Sequence, residues 1–134
     1  MLTALVLLPV AAAIVVALVP SRRSEMHLSL GIALSILPLA LAAYLFWAFE
    51  PVSGYQFVVD AVWYEPWGIS WSLGTDGISM PLVVLTALLI PIALGASTSI
   101  SHRTKEFVVY TLLLEAGMIG AFLALDLFLF FVFF

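Results

Sequence analysis

Cysteine is absent from the 134 residues, which excludes disulfides, cysteine-ligated iron–sulfur clusters and cysteine-type zinc sites. Bases are almost absent as well. Arg22, Arg23, Arg103 and Lys105 carry all the formal positive charge, and the net charge is −4. With no basic stripe, nucleic-acid binding is set aside. Charged residues make up 9% of the chain against 65% hydrophobic residues, at a mean hydropathy of +1.26. A soluble domain of this length lacks the polar residues to cover so much apolar surface. Lipid is the solvent such a composition suits, and the expected class is an all-α integral membrane protein. His27 and His102 stand singly, each beside a predicted membrane boundary. That position suits interfacial residues better than metal or haem ligands, since ligation needs partners. No nucleophile–base pair or metal-ligand spacing occurs, and G-T-D-G at 74–77 lacks the third glycine and the strand–helix setting of a nucleotide loop. The chain is therefore expected to hold no redox site, catalytic residue, metal or cofactor of its own.

What is present is a series of long apolar runs. Four of them, about 2–19, 26–49, 77–98 and 107–125, approach or exceed the roughly 20 residues that cross a hydrocarbon core. A fifth begins at Leu127 and reaches the last residue, Phe134, after eight residues. The expected fold is one membrane domain over 1–134, with four transmembrane helices and the start of a fifth. The first run has no Lys or Arg before it, so it reads as a retained helix rather than a signal peptide. All four bases fall in two short loops, SRRSE and SHRTKE, while the loop 50–75 has three acids and no base. The positive-inside rule then places the basic loops in the cytoplasm, with the long loop and the N-terminus outside. Within the long loop, QFVVDAVWY reads as a strand, PWG as a turn and ISWSL as a second strand, a short outer β-hairpin. The four tryptophans, Trp47, Trp63, Trp67 and Trp71, lie between the second and third runs, where an interfacial aromatic belt belongs. Prolines 9, 38, 81 and 91 interrupt predicted helices, each freeing a carbonyl four residues earlier.

Three acids are the candidate proton-path residues. Glu115 is the one acid well inside a predicted span, where an unpaired charge costs about 2.5–3.5 kcal/mol on insertion scales. Helical spacing sets Thr111, Met118, Ile119 and Phe122 on its face, and Ala116, Gly117, Gly120 and Ala121 on a small-residue surface turned mostly away from it. Two readings stand side by side: a proton-relay carboxyl, or a protonated acid hydrogen-bonded to a neighbouring helix. Asp126 sits at a reversal with almost no loop and suits the N-cap of the fifth helix. Asp76, in LGTDGIS, has the same chemistry ahead of the third run.

The block LGTDGISMPLVVLTALLIPIAL, followed by LLLEAGMIGAFLALDLFLFFVFF, resembles the antiporter-like membrane subunits of NADH–quinone oxidoreductase, respiratory complex I. The D-G-I-S-M-P-L and L-D-L-F-L-F-F runs favour subunit M (chain 4, with a counterpart in the cyanobacterial complex) over its relatives. The resemblance implies a proton-translocating subunit, coupled to quinone reduction carried out elsewhere in the complex, with a translocase's role but no redox site in this chain. NADH or ferredoxin, flavin, iron–sulfur clusters and quinone are implied in other subunits. Implied partners are the other membrane subunits, above all neighbouring antiporter-like ones, and the bilayer of a bacterial inner membrane or thylakoid. Family subunits have about fourteen helices in two inverted five-helix repeats, so the chain would be about the first third of one. The family's proton-carrying glutamate lies on the fifth helix just after the phenylalanine-rich run, beyond Phe134. Glu115, on the fourth helix, does not match that position, and the role is not carried over to it. A cation/proton antiporter subunit of the Mrp type shares the ancestry and is the alternative; a non-catalytic membrane scaffold is a third reading.

Overall fold

In the computed structural model the described residues are 1–20, 24–50, 53–100 and 102–134. The pair Arg22–Arg23, on which half of the orientation argument rests, lies outside them. Five helices and one hairpin follow in the order α1 (Leu2–Leu18), α2 (Ser24–Trp47), β1 (Gln56–Tyr64), a single 3₁₀ turn (Glu65–Trp67), β2 (Ile69–Thr75), α3 (Ser79–Ala96), α4 (Thr104–Leu123) and α5 (Leu127–Phe133). Met26–Trp47, Ser79–Ala96 and Thr104–Leu123 are long and apolar enough to cross a membrane. Helix α1, at 17 residues, covers about 26 Å at 1.5 Å per residue, a little less than a 30 Å core.

The helices are apolar on nearly every side, so apolarity alone does not choose which face is buried. Close packing chooses it. Leu2, Leu5, Val6, Pro9, Ala12, Ala13 and Val16 form the buried stripe of α1, spaced three and four residues apart as one helix face requires. The most extensive helix pairings are α1 with α4 and α2 with α3. Gly31 lets α2 close on both neighbours: a Cβ there would collide with Val108 and touch Leu94 Cδ1 at 3.5 Å.

Of the four prolines, Pro9, Pro38 and Pro91 stand inside helices. Pro81 does not interrupt one. It is the third residue of α3, in the first turn, where backbone N–H groups have no helical acceptor to lose.

The hairpin is antiparallel, pairing Gln56 with Thr75, Val59 with Leu73 and Tyr64 with Ile69, with register shifts after Gln56 and Val62. Strand β2 docks it on the bundle. Leu73 bridges to Ala124, Leu125 N–H donates to Ser72 O at 2.9 Å, and Trp71 Nε1 donates to Thr3 Oγ1 at 3.1 Å. The Trp71 ring also meets Phe133 edge-on, 5.9 Å between centroids. The start of α1, the end of α4 and the start of α3 therefore share the hairpin end of the bundle. Helices α1 and α3 run away from it and α2 and α4 towards it. Trp47, Trp63 and Trp67 stay well exposed, while Trp71 is partly buried in the dock.

Two buried clusters make up the core. The one near the hairpin contains Leu5, Val6, Ala42, Val83, Ala87, Ile119 and Leu123. The far one contains Ala12, Val16, Leu28, Ile90, Leu94, Val108 and Leu112.

Candidate functional site

Asp126 is built by the reversal between α4 and α5. Its Oδ1 accepts from Phe128 N at 2.7 Å and Leu129 N at 3.1 Å, satisfying two of the orphan donors at the start of α5. Its Oδ2 accepts from both N and Oγ of Ser70 at 3.3 Å. One carboxylate thus caps a helix and clamps β2 to it. Backbone donation from Leu129, followed by that from Ser70 and Phe128, holds its pKa below the ordinary aspartate value.

Asp76 acts one element earlier. Its Oδ1 accepts from Ser79 N at 2.7 Å and Ile78 N at 3.0 Å, while its own N–H donates to Ser79 Oγ at 3.0 Å. The helix proper begins at Ser79 after the N-cap Ile78, which has no capping side chain; the acid supplies that function from two residues upstream. Donation from Ser79 and then Ile78 lowers its pKa. As ionised acceptors of backbone N–H groups, Asp76 and Asp126 are suited to holding structure and poorly suited to releasing and rebinding protons near neutral pH.

Glu115 has the opposite surroundings. It is fully buried, and neither carboxyl oxygen has a hydrogen-bond partner among the described residues. The expected hydrogen bond to a neighbouring helix is not there. Its expected face is also corrected. The buried stripe of α4 is Val108, Leu112, Glu115, Ala116, Ile119, Gly120 and Leu123, while Phe122 points outward and Thr111 turns its Oγ1 to Phe107 O at 2.8 Å. Two of the small residues, Ala116 and Gly120, therefore share the buried side with the acid. Gly120 faces the Phe133 ring of α5, where a Cβ would sit 2.5 Å from ring atoms.

The three acids do not meet. Glu115 and Asp126 are 11 positions apart along α4 and its exit, about 16 Å, with Ile119 and Leu123 of the hairpin-side cluster between them. Among the described residues, no group of three or more His, Asp and Glu side chains is arranged to hold a metal ion.

Sequence reasoning missed one buried polar position and left the burial of another unforeseen. Ser35 is fully buried in mid-α2, its Oγ donating to Ile32 O at 2.8 Å; a hydroxyl within an apolar run beside Pro38 was the available signal. His27 is buried rather than interfacial, with Nε2 3.3 Å from Val19 O and Nδ1 unpartnered, because α2 starts early enough to turn it towards the end of α1. His102 is exposed.

Residues 1–125 match the family described as NADH-ubiquinone oxidoreductase chain 4, amino terminus. The chain belongs to this family. Among its relatives, the NAD(P)H-quinone oxidoreductase chain 4 2 of Trichodesmium erythraeum is 33% identical over 98% of this chain and 24% of its own length. A chain 4 1 of Synechococcus elongatus is 36% identical over 98% of this chain and 25% of its own length. The NADH-quinone oxidoreductase subunit M of Rhodobacter capsulatus is 37% identical over the whole of this chain and 27% of its own length. The chain thus spans about a quarter of the relatives it matches, rather than the third that the resemblance implied. Membership places the hairpin, the bundle and Glu115 in the amino-terminal region of a complex I membrane subunit family.

Proposed function

We propose that these residues form the N-terminal section of a proton-translocating membrane subunit of NADH–quinone oxidoreductase, which couples quinone reduction to proton pumping. The single observation that carries the reading is the family match over residues 1–125. In this reading α1 joins the three longer helices as a fourth span, and α5 is the start of a fifth in a subunit of about fourteen helices. The basic loop that carries Arg103 and Lys105 lies on the cytoplasmic side and the hairpin on the outer side of a bacterial inner or thylakoid membrane, with the N-terminus outside. The redox cofactors belong to other subunits, and the partners are neighbouring membrane subunits of the complex. The section contributes a docked outer surface, organised by Asp76 and Asp126, and a buried acid, Glu115.

The test is made in the host organism. Deleting codons 1–134 should abolish dye-monitored acidification of inverted membrane vesicles driven by the complex's electron donor, and a plasmid copy should restore it. Acidification at the wild-type rate in the deletion strain would overturn the reading.

A further inference from the structure

Each of the four long helices passes from the hairpin-side cluster to the far cluster at one depth, and at that depth the apolar packing is interrupted. On α1 the crossing lies between Val6 and Ala12, at buried Pro9. On α2 it lies between Leu34 and Leu39, at buried Ser35 and Pro38. On α3 it lies between Ala87 and Ile90, and Pro91 leaves the Ala87 carbonyl without its helical donor. On α4 it lies between Leu112 and Ile119, at Glu115.

The depths agree by a second route. Gly31 is level with Val108 and Leu94, which a Cβ on it would meet. Seven residues towards the hairpin, about 10.5 Å along each axis, lead from Gly31 to Pro38, from Val108 to Glu115 and from Leu94 to Ala87. Glu115 is itself about 17 Å from the start of α4, half-way through a core about 30 Å thick.

We propose that Glu115 is a proton-binding site at mid-depth in the bundle, set in a layer of proline-freed backbone carbonyls, and that its proton is exchanged during turnover. The proposal deepens the translocation reading and its functional arm rests on it. A protonated carboxyl can donate to one carbonyl and accept from an internal water, whereas an ionised one can only accept. The freed carbonyls of Leu5, Leu34 and Ala87 are acceptors, so the layer suits a donor. Among the described residues, no cation faces the acid. Helices α1, α3 and α5 contain no titratable side chain. Helix α2 has Glu25 and His27 in its first turn and an exposed Tyr44; α4 has Lys105, Glu106 and an exposed Tyr110 near its start. His27 is separated from the acid by the far cluster, with Leu28, Val108 and Leu112 between them.

A hydrophobic carbodiimide tests the site on the chain itself. The reagent takes the proton of a carboxylic acid, the resulting carboxylate adds to its central carbon, and away from water the adduct rearranges to a stable N-acylurea of the same mass. Native membranes containing the complete subunit in its complex are treated with dicyclohexylcarbodiimide across a pH series, and modified residues are located by fragment mass spectrometry. Glu115 should carry the adduct, with labelling lost as pH rises, while Asp76 and Asp126 remain unmodified. No adduct at Glu115 at any pH would overturn the proposal. So would protection at constant pH by sodium or lithium but not choline, which would make the site a cation site.

For the functional arm, Glu115→Gln should lower the initial rate of vesicle acidification by about a hundredfold, the lower end of what one positioned proton-transfer group contributes, with subunit assembly retained. Glu115→Asp should recover part of the rate. Wild-type acidification in the assembled Gln variant would overturn the exchange role. Because labelling does not depend on pumping, a labelled Glu115 in a complex whose acidification survives the 1–134 deletion would separate a failure of the translocation reading from a failure of the site.

Discussion

At the residue scale, the three candidate acids do two kinds of work, and the number of N–H donors around each decides which. Asp126 meets Phe128 N, Leu129 N and the Ser70 N and Oγ donors, so its charge is satisfied. Its folded pKa lies below the ordinary value, as does that of Asp76. The unfolded chain binds the proton more readily, so these acids contribute stability above the ordinary aspartate pKa of about 3.9 and lose it as pH falls through the lower folded value. Stability should therefore be insensitive to their titration between pH 5 and 8. Asp126→Ala should speed amide hydrogen exchange at Ser70, Phe128 and Leu129, with Asp126→Asn nearer to wild type, because an amide oxygen still caps. Unchanged exchange at these three amides in the alanine variant would show that the clamp holds nothing.

At the element scale, the helices are held by shape. Leucine-rich faces are interchangeable in lipid, so contact is decided where a small residue lets another helix approach. Gly31 is the tightest such point in the half of the bundle away from the hairpin, facing Leu94 and the β-branched Val108, both fully buried. Val108 has little rotamer freedom in a helix, so a methyl at position 31 forces the helices apart. Gly31→Ala should destabilise the bundle by about 1–3 kcal/mol, read as a lower thermal unfolding midpoint in detergent. By contrast Gly95, where a Cβ would meet nothing within 4 Å, should accept alanine without loss. Equal midpoints for the two variants would show that the α2–α4 approach is not a packing constraint. The α4–α5 seam obeys the same rule, with Gly120 under the Phe133 ring.

At the scale of the whole molecule, the hairpin marks one end of the bundle. Ser53 lies just before it and Ser99 at the opposite end, and both are exposed. With the hairpin outside, a cysteine at Ser53 should react with an impermeant thiol reagent in intact cells, and one at Ser99 only after permeabilisation. The reverse pattern would invert the orientation. Exposed Arg103 and Glu106 pair at 2.8 Å; a solvated pair of this kind contributes about 0–1 kcal/mol, so Arg103 adds little to stability.

The amino-acid sequence by itself determined the lipid-compatible class, the order of helices, the hairpin between the second and third, and the family. Composition, run length, period-two alternation and motif are local quantities, and each is written along the chain. It also marked the three acids as unusual. It did not determine which helix face is buried, since helices that are apolar all round carry no amphipathic signal. That is why spacing alone sets Phe122 beside Glu115 and turns Ala116 and Gly120 away from it. Nor did it show that Ser70 would reach Asp126 across 56 residues, that Trp71 would leave the aromatic belt to bond Thr3, or that Glu115 would lack a partner among the described residues. Those depend on which surfaces meet when α1 packs on α4 and β2 closes over their ends. Only the tertiary structure sets the prolines of three helices and the acid of a fourth at one depth, because depth is fixed by helix direction and stagger, and stagger by the close contact at Gly31.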